Sequence, residues 1–200
     1  MRDHNRRAFL TGTVTGVALA MSGRSLAAQF PQPSAALLQR ARAALDRHDG
    51  SIVHRDRVAV VDFSRPSSEP RLFIVDLISG AFSAHLVAHG RGSDPAHSGW
   101  VQRFSNEPGS YASSEGAYAS EAVYPGKHGT SLRLAGLDPE NSNAEPRAIV
   151  VHAAWYVAPE MVREHGKLGR SEGCFAVAQA ELAQVIERLG TGRLLYAGKA

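Results

Sequence analysis

Val58-Ala-Val-Val-Asp-Phe63, a turn rich in Ser, Pro and Glu, and then Arg71-Leu-Phe-Ile-Val-Asp76 decide the fold class of this chain. Both runs are short and rich in β-branched and aromatic residues, and turn residues bound them. Ile78-Ser79-Gly80 then leads into Ala81 to Ala88, whose alternation suits a third strand. Three short strands joined by tight turns predict an antiparallel meander in a mainly β domain, not βαβ units.

Upstream, Ser34 can cap a helix running to about His48. Its stripe is Leu37, Leu38, Ala41, Ala44 and Leu45, and Gly50 follows as a stop. Downstream, Gly90 to Asn143 is rich in Gly, Ser, Pro and Asn and reads as long binding loops. Two brief strand-like pieces interrupt it, Gly116 to Ser120 and Ser131 to Leu134. Arg147-Ala-Ile-Val-Val-His152 is the clearest buried strand. A second helix is expected from Gln179 to Leu189, closed by Gly190, with a last strand at Arg193 to Tyr196. No internal repeat is visible, and 200 residues suit one core.

The first residues bear on location. Arg6-Arg7 precedes a weakly apolar run, Leu10 to Met21, and then the small residues Ser25-Leu26-Ala27-Ala28. That order is expected of a Tat-type signal peptide over 1–27, cleaved after Ala27 or Ala28, and of a periplasmic protein. The run is about 12 residues against the roughly 20 needed to cross a bilayer, so no stable membrane span is expected. Arg2, Arg6, Arg7 and Arg24 against Asp3 give this segment a net +3, equal to the net +3 of the whole chain. The remainder is therefore neutral, and no electrostatic case for nucleic acid remains. Residues 28–54 are expected to form a helical segment and 55–200 a catalytic domain, acting as a monomer.

The chain has one cysteine, so its fold does not rest on disulfides. Cys174 lies in Gly169-Arg-Ser-Glu-Gly-Cys174-Phe-Ala-Val177, where a glycine-containing turn enters an apolar segment. His152 ends its strand and can emerge at a sheet edge. A free thiol is only a few per cent ionised near pH 7, so an imidazole partner is the usual activator. His152 as base and Cys174 as nucleophile suit acyl transfer through a thioester. The amides of Gly173 and Cys174 are expected to face an oxyanion.

Ile149-Val-Val-His152-Ala-Ala-Trp155, followed by Gly166-Lys-Leu-Gly-Arg-Ser171-Glu-Gly-Cys174, resembles the signature of L,D-transpeptidase (YkuD-like) catalytic domains. In that family a histidine precedes a Ser/Thr-x-Gly-Cys block by around twenty residues; here the separation is 22. Gly126-Lys-His-Gly-Thr-Ser-Leu-Arg-Leu134, Gly136-Leu137, Asn141, Asn143 and Arg147 resemble a murein L,D-transpeptidase branch without a separate wall-binding domain. The likeness spans roughly residues 55 to 198. The chain departs from the family pattern at Glu172, where many members have His. It departs again at Ala176, where many have Arg or Asn, and at Phe175, where the branch usually has Pro.

The resemblance implies a β-sandwich with an N-terminal helix and a helix after the cysteine, with a loop capping the cleft. It implies an exported cysteine acyltransferase acting on peptidoglycan stem peptides. The thiolate would attack the carbonyl at the L-centre of the third stem residue and expel D-Ala. An amine would then resolve the thioester into a 3–3 cross-link. Water instead of amine gives an L,D-carboxypeptidase or cross-link hydrolase, and a non-catalytic wall-binding module is the alternative from another class. The resemblance also implies that the carbonyl of Ala153 holds the imidazole. It implies no cofactor.

Other candidates surround this pair. His128, with Lys127 beside it, sits in a glycine-rich loop and can touch stem carboxylates, as can Arg170. Ser171 can donate to the thiolate or satisfy its own turn. Tyr118 is expected beside the cleft, and Trp155 in the core. His85, His89 and His97 invite a metal, but on a strand the first two stand about 13 Å apart. No metal site is expected.

Overall fold

The computed structural model describes residues 31–200, and the expected export segment lies outside the described residues. Ser34 begins the first helix as read: its hydroxyl accepts from the Leu37 N–H at 3.4 Å. Helix α1 (Ala35–Arg47) buries Leu37, Ala41, Ala44 and Leu45 on one side. Burial contributes roughly 1.5–3 kcal/mol for each of the two leucines.

Strands β1 (Arg57–Asp62), β2 (Leu72–Asp76) and β3 (Phe82–His85) form the expected antiparallel meander. Val58 and Val60 face α1 while Ala59 and Val61 face an inner core, so both sides of β1 are covered. That is why its sequence is continuously apolar rather than alternating. β4 (Val87–Ala88), β5 (Gly116–Gly126), β6 (Gly129–Gly136), β7 (Val150–Ala153), β8 (Phe175–Val177) and β9 (Leu194–Gly198) complete the strands. Among the described residues they form one nine-stranded sheet, ordered β3-β2-β1-β9-β5-β6-β7-β8-β4. The pairs β1–β9 and β7–β8 are parallel; the others are antiparallel.

The stretch read as one strand, Ala81 to Ala88, is divided at Leu86 into β3 and β4. These two pieces pair at opposite edges of the sheet, β3 with β2 and β4 with β8. One bent segment therefore joins both edges, as corner strands do in packed-sheet architectures. The sheet folds around an inner core holding Leu72, Val87, Leu132, Val151, Phe175 and Leu195. Helix α3 (Leu182–Leu189) closes it with Leu182, Val185 and Leu189.

Three readings need correction. Residues 116–136 are not loop with brief strands but one long hairpin, β5–β6, turning at Lys127-His128. Gly129 takes the left-handed conformation there (φ 82°). Helix α2 (Pro159–His165) was not foreseen; none of its residues is buried, so it has no apolar stripe to read. Trp155 is 78% exposed rather than in the core.

Candidate active site

Parallel pairing of β7 with β8 sets His152 opposite Ala176 and Val151 opposite Phe175. The residue before β8 is Cys174, so the register brings sulfur and imidazole to one end of two neighbouring strands. Both side chains line a cleft of about 510 Å³. Phe175 anchors the start of β8 in the core, 5.4 Å centroid to centroid from Tyr118 and edge-on to it.

The His152 ring is fixed on both faces of the problem, tautomer and orientation. Nδ1 lies 2.8 Å from the Ala153 carbonyl oxygen. A carbonyl can only accept, so Nδ1 carries the proton and Nε2 presents its lone pair. The His128 ring stacks on it at 4.4 Å with planes 21° apart. Burial holds the His152 pKa below its ordinary value; the Ala153 bond opposes this, and His128 adds to it. At neutral pH the imidazole is a free base.

Cys174 is half-buried and its thiol donates to the Ala148 carbonyl at 3.4 Å. Ala148 reaches that position with φ 53°, a left-handed conformation rare for alanine. Burial pushes the thiol pKa up. The Val150 amide and the Arg147 charge pull it back, Glu172 pushes it up, and the amide of Cys174 itself pulls down. The resting pair is thus thiol plus imidazole, both neutral.

The turn that carries Cys174 is tightly bonded. Ser171 N–H donates to the His89 carbonyl at 2.9 Å, and Arg91 N–H donates to the Ser171 carbonyl at 2.8 Å. Ser171 Oγ donates to the Cys174 carbonyl at 2.7 Å and accepts from Gly173 N–H at 3.2 Å. One expectation is corrected here: the Gly173 amide is spent on Ser171 instead of facing an oxyanion. Of the two uses open to the Ser171 hydroxyl, it holds its own turn. Gly173 has φ 120°, and a Cβ there would stand 2.8 Å from the Ala112 oxygen and Ile149. Only glycine fits. Glu172 turns outward to Arg91, 3.2 Å away.

Lys127, His128 and Arg170 also line the cleft. One Arg170 nitrogen donates to the carbonyls of Asp94 and Pro95. Tyr118 is not there: it is fully buried, and its hydroxyl donates to the Ser114 carbonyl at 2.9 Å. The alternation Gly116-Ala-Tyr-Ala gives no sign of which face looks inward. Sequence reading missed Tyr124 and Tyr156, and it named Arg147 only for the family resemblance; all three line the cleft. For Tyr156 a trace existed in Gly169, where any Cβ would collide with the Tyr156 ring.

Among the described residues no group of three His, Cys, Asp or Glu converges on a possible metal ion. His85 bonds Ser83, His89 lies between Arg71 and Asp94, and His97 meets the Leu168 carbonyl.

Residues 31–197 match the model of the L,D-transpeptidase catalytic domain. The chain belongs to that family. No curated protein matches it. Solved structures match it at low identity. Two are L,D-transpeptidases. One from Mycobacterium smegmatis is 12% identical with TM-score 0.42, over 72% of this chain and 58% of that one. One from Stackebrandtia nassauensis is 14% identical with TM-score 0.44, over 74% and 58%. The helical cell shape determining protein Pgp2 of Campylobacter jejuni is 8% identical with TM-score 0.47, over 74% and 48%. The chain thus spans under two thirds of each of these proteins. In this L,D-transpeptidase domain the Ser-x-Gly-Cys block is the bonded turn just described.

Proposed function

We propose that the protein is an exported cysteine acyltransferase that forms 3–3 cross-links between peptidoglycan stem peptides. The observation that carries the reading is the tautomer of His152. With Nδ1–H held by Ala153, Nε2 is the nitrogen left to act as base, and His152 and the Cys174 thiol line one cleft. Proton transfer from Sγ to Nε2 accompanies attack of sulfur on the carbonyl carbon at the L-centre of the third stem residue. The C–N bond to D-Ala then breaks, and the imidazolium returns the proton to the departing amine. A stem amine attacks the thioester, gives up a proton to His152, and leaves the thiol restored. Lys127 and Arg170 supply positive charge for the stem carboxylates. The twin-arginine segment supports export to the periplasm.

A purified disaccharide-free tetrapeptide stem, incubated with the protein and weighed by mass spectrometry, tests this. A cross-linked dimer with loss of D-Ala is expected. A tripeptide alone would replace the reading by L,D-carboxypeptidase, and unchanged stems would reject the substrate class. Cys174→Ala is expected to abolish covalent labelling by a carbapenem; acylation retained at another residue would remove Cys174 from its role.

A further inference from the structure

The residues lining the cleft include a cation that the chemistry above does not use. Arg147 lies just before β7 and is half-buried. It lines both the cleft and a crevice under Pro108, Gly109 and Tyr111. Its Nη1 donates to the Ser105 carbonyl at 2.8 Å and the Ser114 hydroxyl at 2.6 Å. Its Nη2 donates to the Ser110 hydroxyl at 3.3 Å and to the Ala112 carbonyl. All four acceptors are uncharged, and it makes no ion pair among the described residues. A partly buried guanidinium without a counter-ion is costly, so its retention needs a reason.

The neighbouring backbone supplies one. A Cβ placed on Gly173 would stand 3.1 Å from Arg147 Nη2, so the guanidinium packs directly on the residue before the nucleophile. We propose that Arg147 is a positioning residue that seats the Cys174 turn on the 105–114 segment and provides the positive charge toward which the thiolate forms. It rests on the reading of Cys174 as nucleophile.

Several other titratable groups line the cleft with the sulfur, and Glu107 acts on Arg147 itself. Glu172 comes from its own turn, His152 and Tyr156 from β7 and the residues after it, His128 and Lys127 from the hairpin tip, and Arg170 from the start of the turn. Glu172 acts against the thiolate while Arg147 favours it. The reverse influence is present too, since the cysteine charge favours the protonated guanidinium. In the resting thiol state Arg147 feels the Glu107 carboxylate without an ion pair to it; as the proton leaves for His152, it gains the charge of the thiolate as well. Its benefit therefore grows along the reaction, as differential stabilisation requires.

Because Cys174 is the one cysteine in the chain, alkylation by iodoacetamide reports its ionisation without any substrate. The rate is measured against pH for the full chain and for two variants that divide the roles of Arg147. Arg147→Gln keeps amide donors for the loop carbonyls but removes the charge; Arg147→Lys keeps the charge but loses the fork. The alkylation midpoint is expected to rise by about half a pH unit or more in Arg147→Gln and to stay near wild type in Arg147→Lys. Circular dichroism establishes that each variant is folded, and Arg147→Met serves as a second neutral variant. Equal midpoints in the Gln and Lys variants, both moved or both unmoved, would overturn the proposal and leave Arg147 a loop clamp. This readout is independent of stem turnover, so it can fail while the transpeptidase reading stands, and the reverse.

Discussion

Two buried histidines stand on either side of the turn that bears Cys174, and their bonding partners make opposite uses of them. His89 receives a hydrogen bond on Nδ1 from Arg71 at 2.7 Å, and its Nε2 lies 3.4 Å from Asp94. Arginine can only donate, so the His89 proton sits on Nε2 and both nitrogens are occupied. His152 has the other tautomer, because its Nδ1 meets a carbonyl. Burial lowers both pKa values, that of His89 to about 3. Desolvation alone therefore does not mark a reactive histidine. What separates them is a nitrogen without a partner among the described residues, against one closed inside a bonded cluster. The two are also linked, since the His89 carbonyl accepts from Ser171 in the turn that bears Cys174.

Replacing each histidine in turn puts the greatest strain on this contrast. His152→Ala is expected to lower stem turnover by about 10²–10⁴-fold with little change in thermal midpoint. His89→Ala is expected to cost about 2–4 kcal/mol of stability, with activity per folded molecule nearly kept. Thermal melts and rates on the same samples decide it. A His89 variant that keeps its midpoint but loses rate would collapse the distinction.

Acid provides a finer version. The folded pKa of His89 is depressed from 6.5 to about 3. The unfolded chain therefore binds the extra proton first, and stability is lost as pH falls through that window. Wild-type urea midpoints are expected to decline from pH 6.5 toward 3, and His89→Gln to decline less. Parallel curves for the two proteins would show that other groups govern acid unfolding. The smallest effect is expected at the cleft rim. Lys127→Ala should raise KM for the stem by about 3–10-fold and leave kcat close to wild type, because an exposed charge adds only modest binding. A fall in kcat instead would move Lys127 into the chemistry.

Local chemistry was legible in the sequence, and long-range pairing was not. Ser34 caps α1 because an N-cap acts within three residues, and β1 and β2 were clear because both faces of each are apolar. His152 and Cys174 were found because a strand end and a glycine turn have local signatures. The bend at Leu86 was invisible, since alternation continues through it while the pairing partner changes from β2 to β8. Gly126 and Gly129 suggested loop where they frame a hairpin tip. Arg147 was named only for the resemblance and given no place in the cleft, because its four acceptors lie 33 to 42 residues away. Tyr118 was misplaced because strand periodicity gives two faces without saying which is inside.

The corner strand has a consequence for the order in which the chain can fold. Val87 pairs with Val177 across 90 residues, and Val58 pairs with Leu194 across 136. High contact order slows assembly, because loop-closure entropy is lost before such pairings return anything. The strand that follows Cys174 is flanked by β4, an early segment, and β7, a late one. β9 (Leu194–Gly198) lies between β1 and β5 in the sheet order. The two halves of the sheet are therefore joined by a strand that follows Cys174 by 20 residues, and the cleft around the thiol is assembled only once that strand has docked.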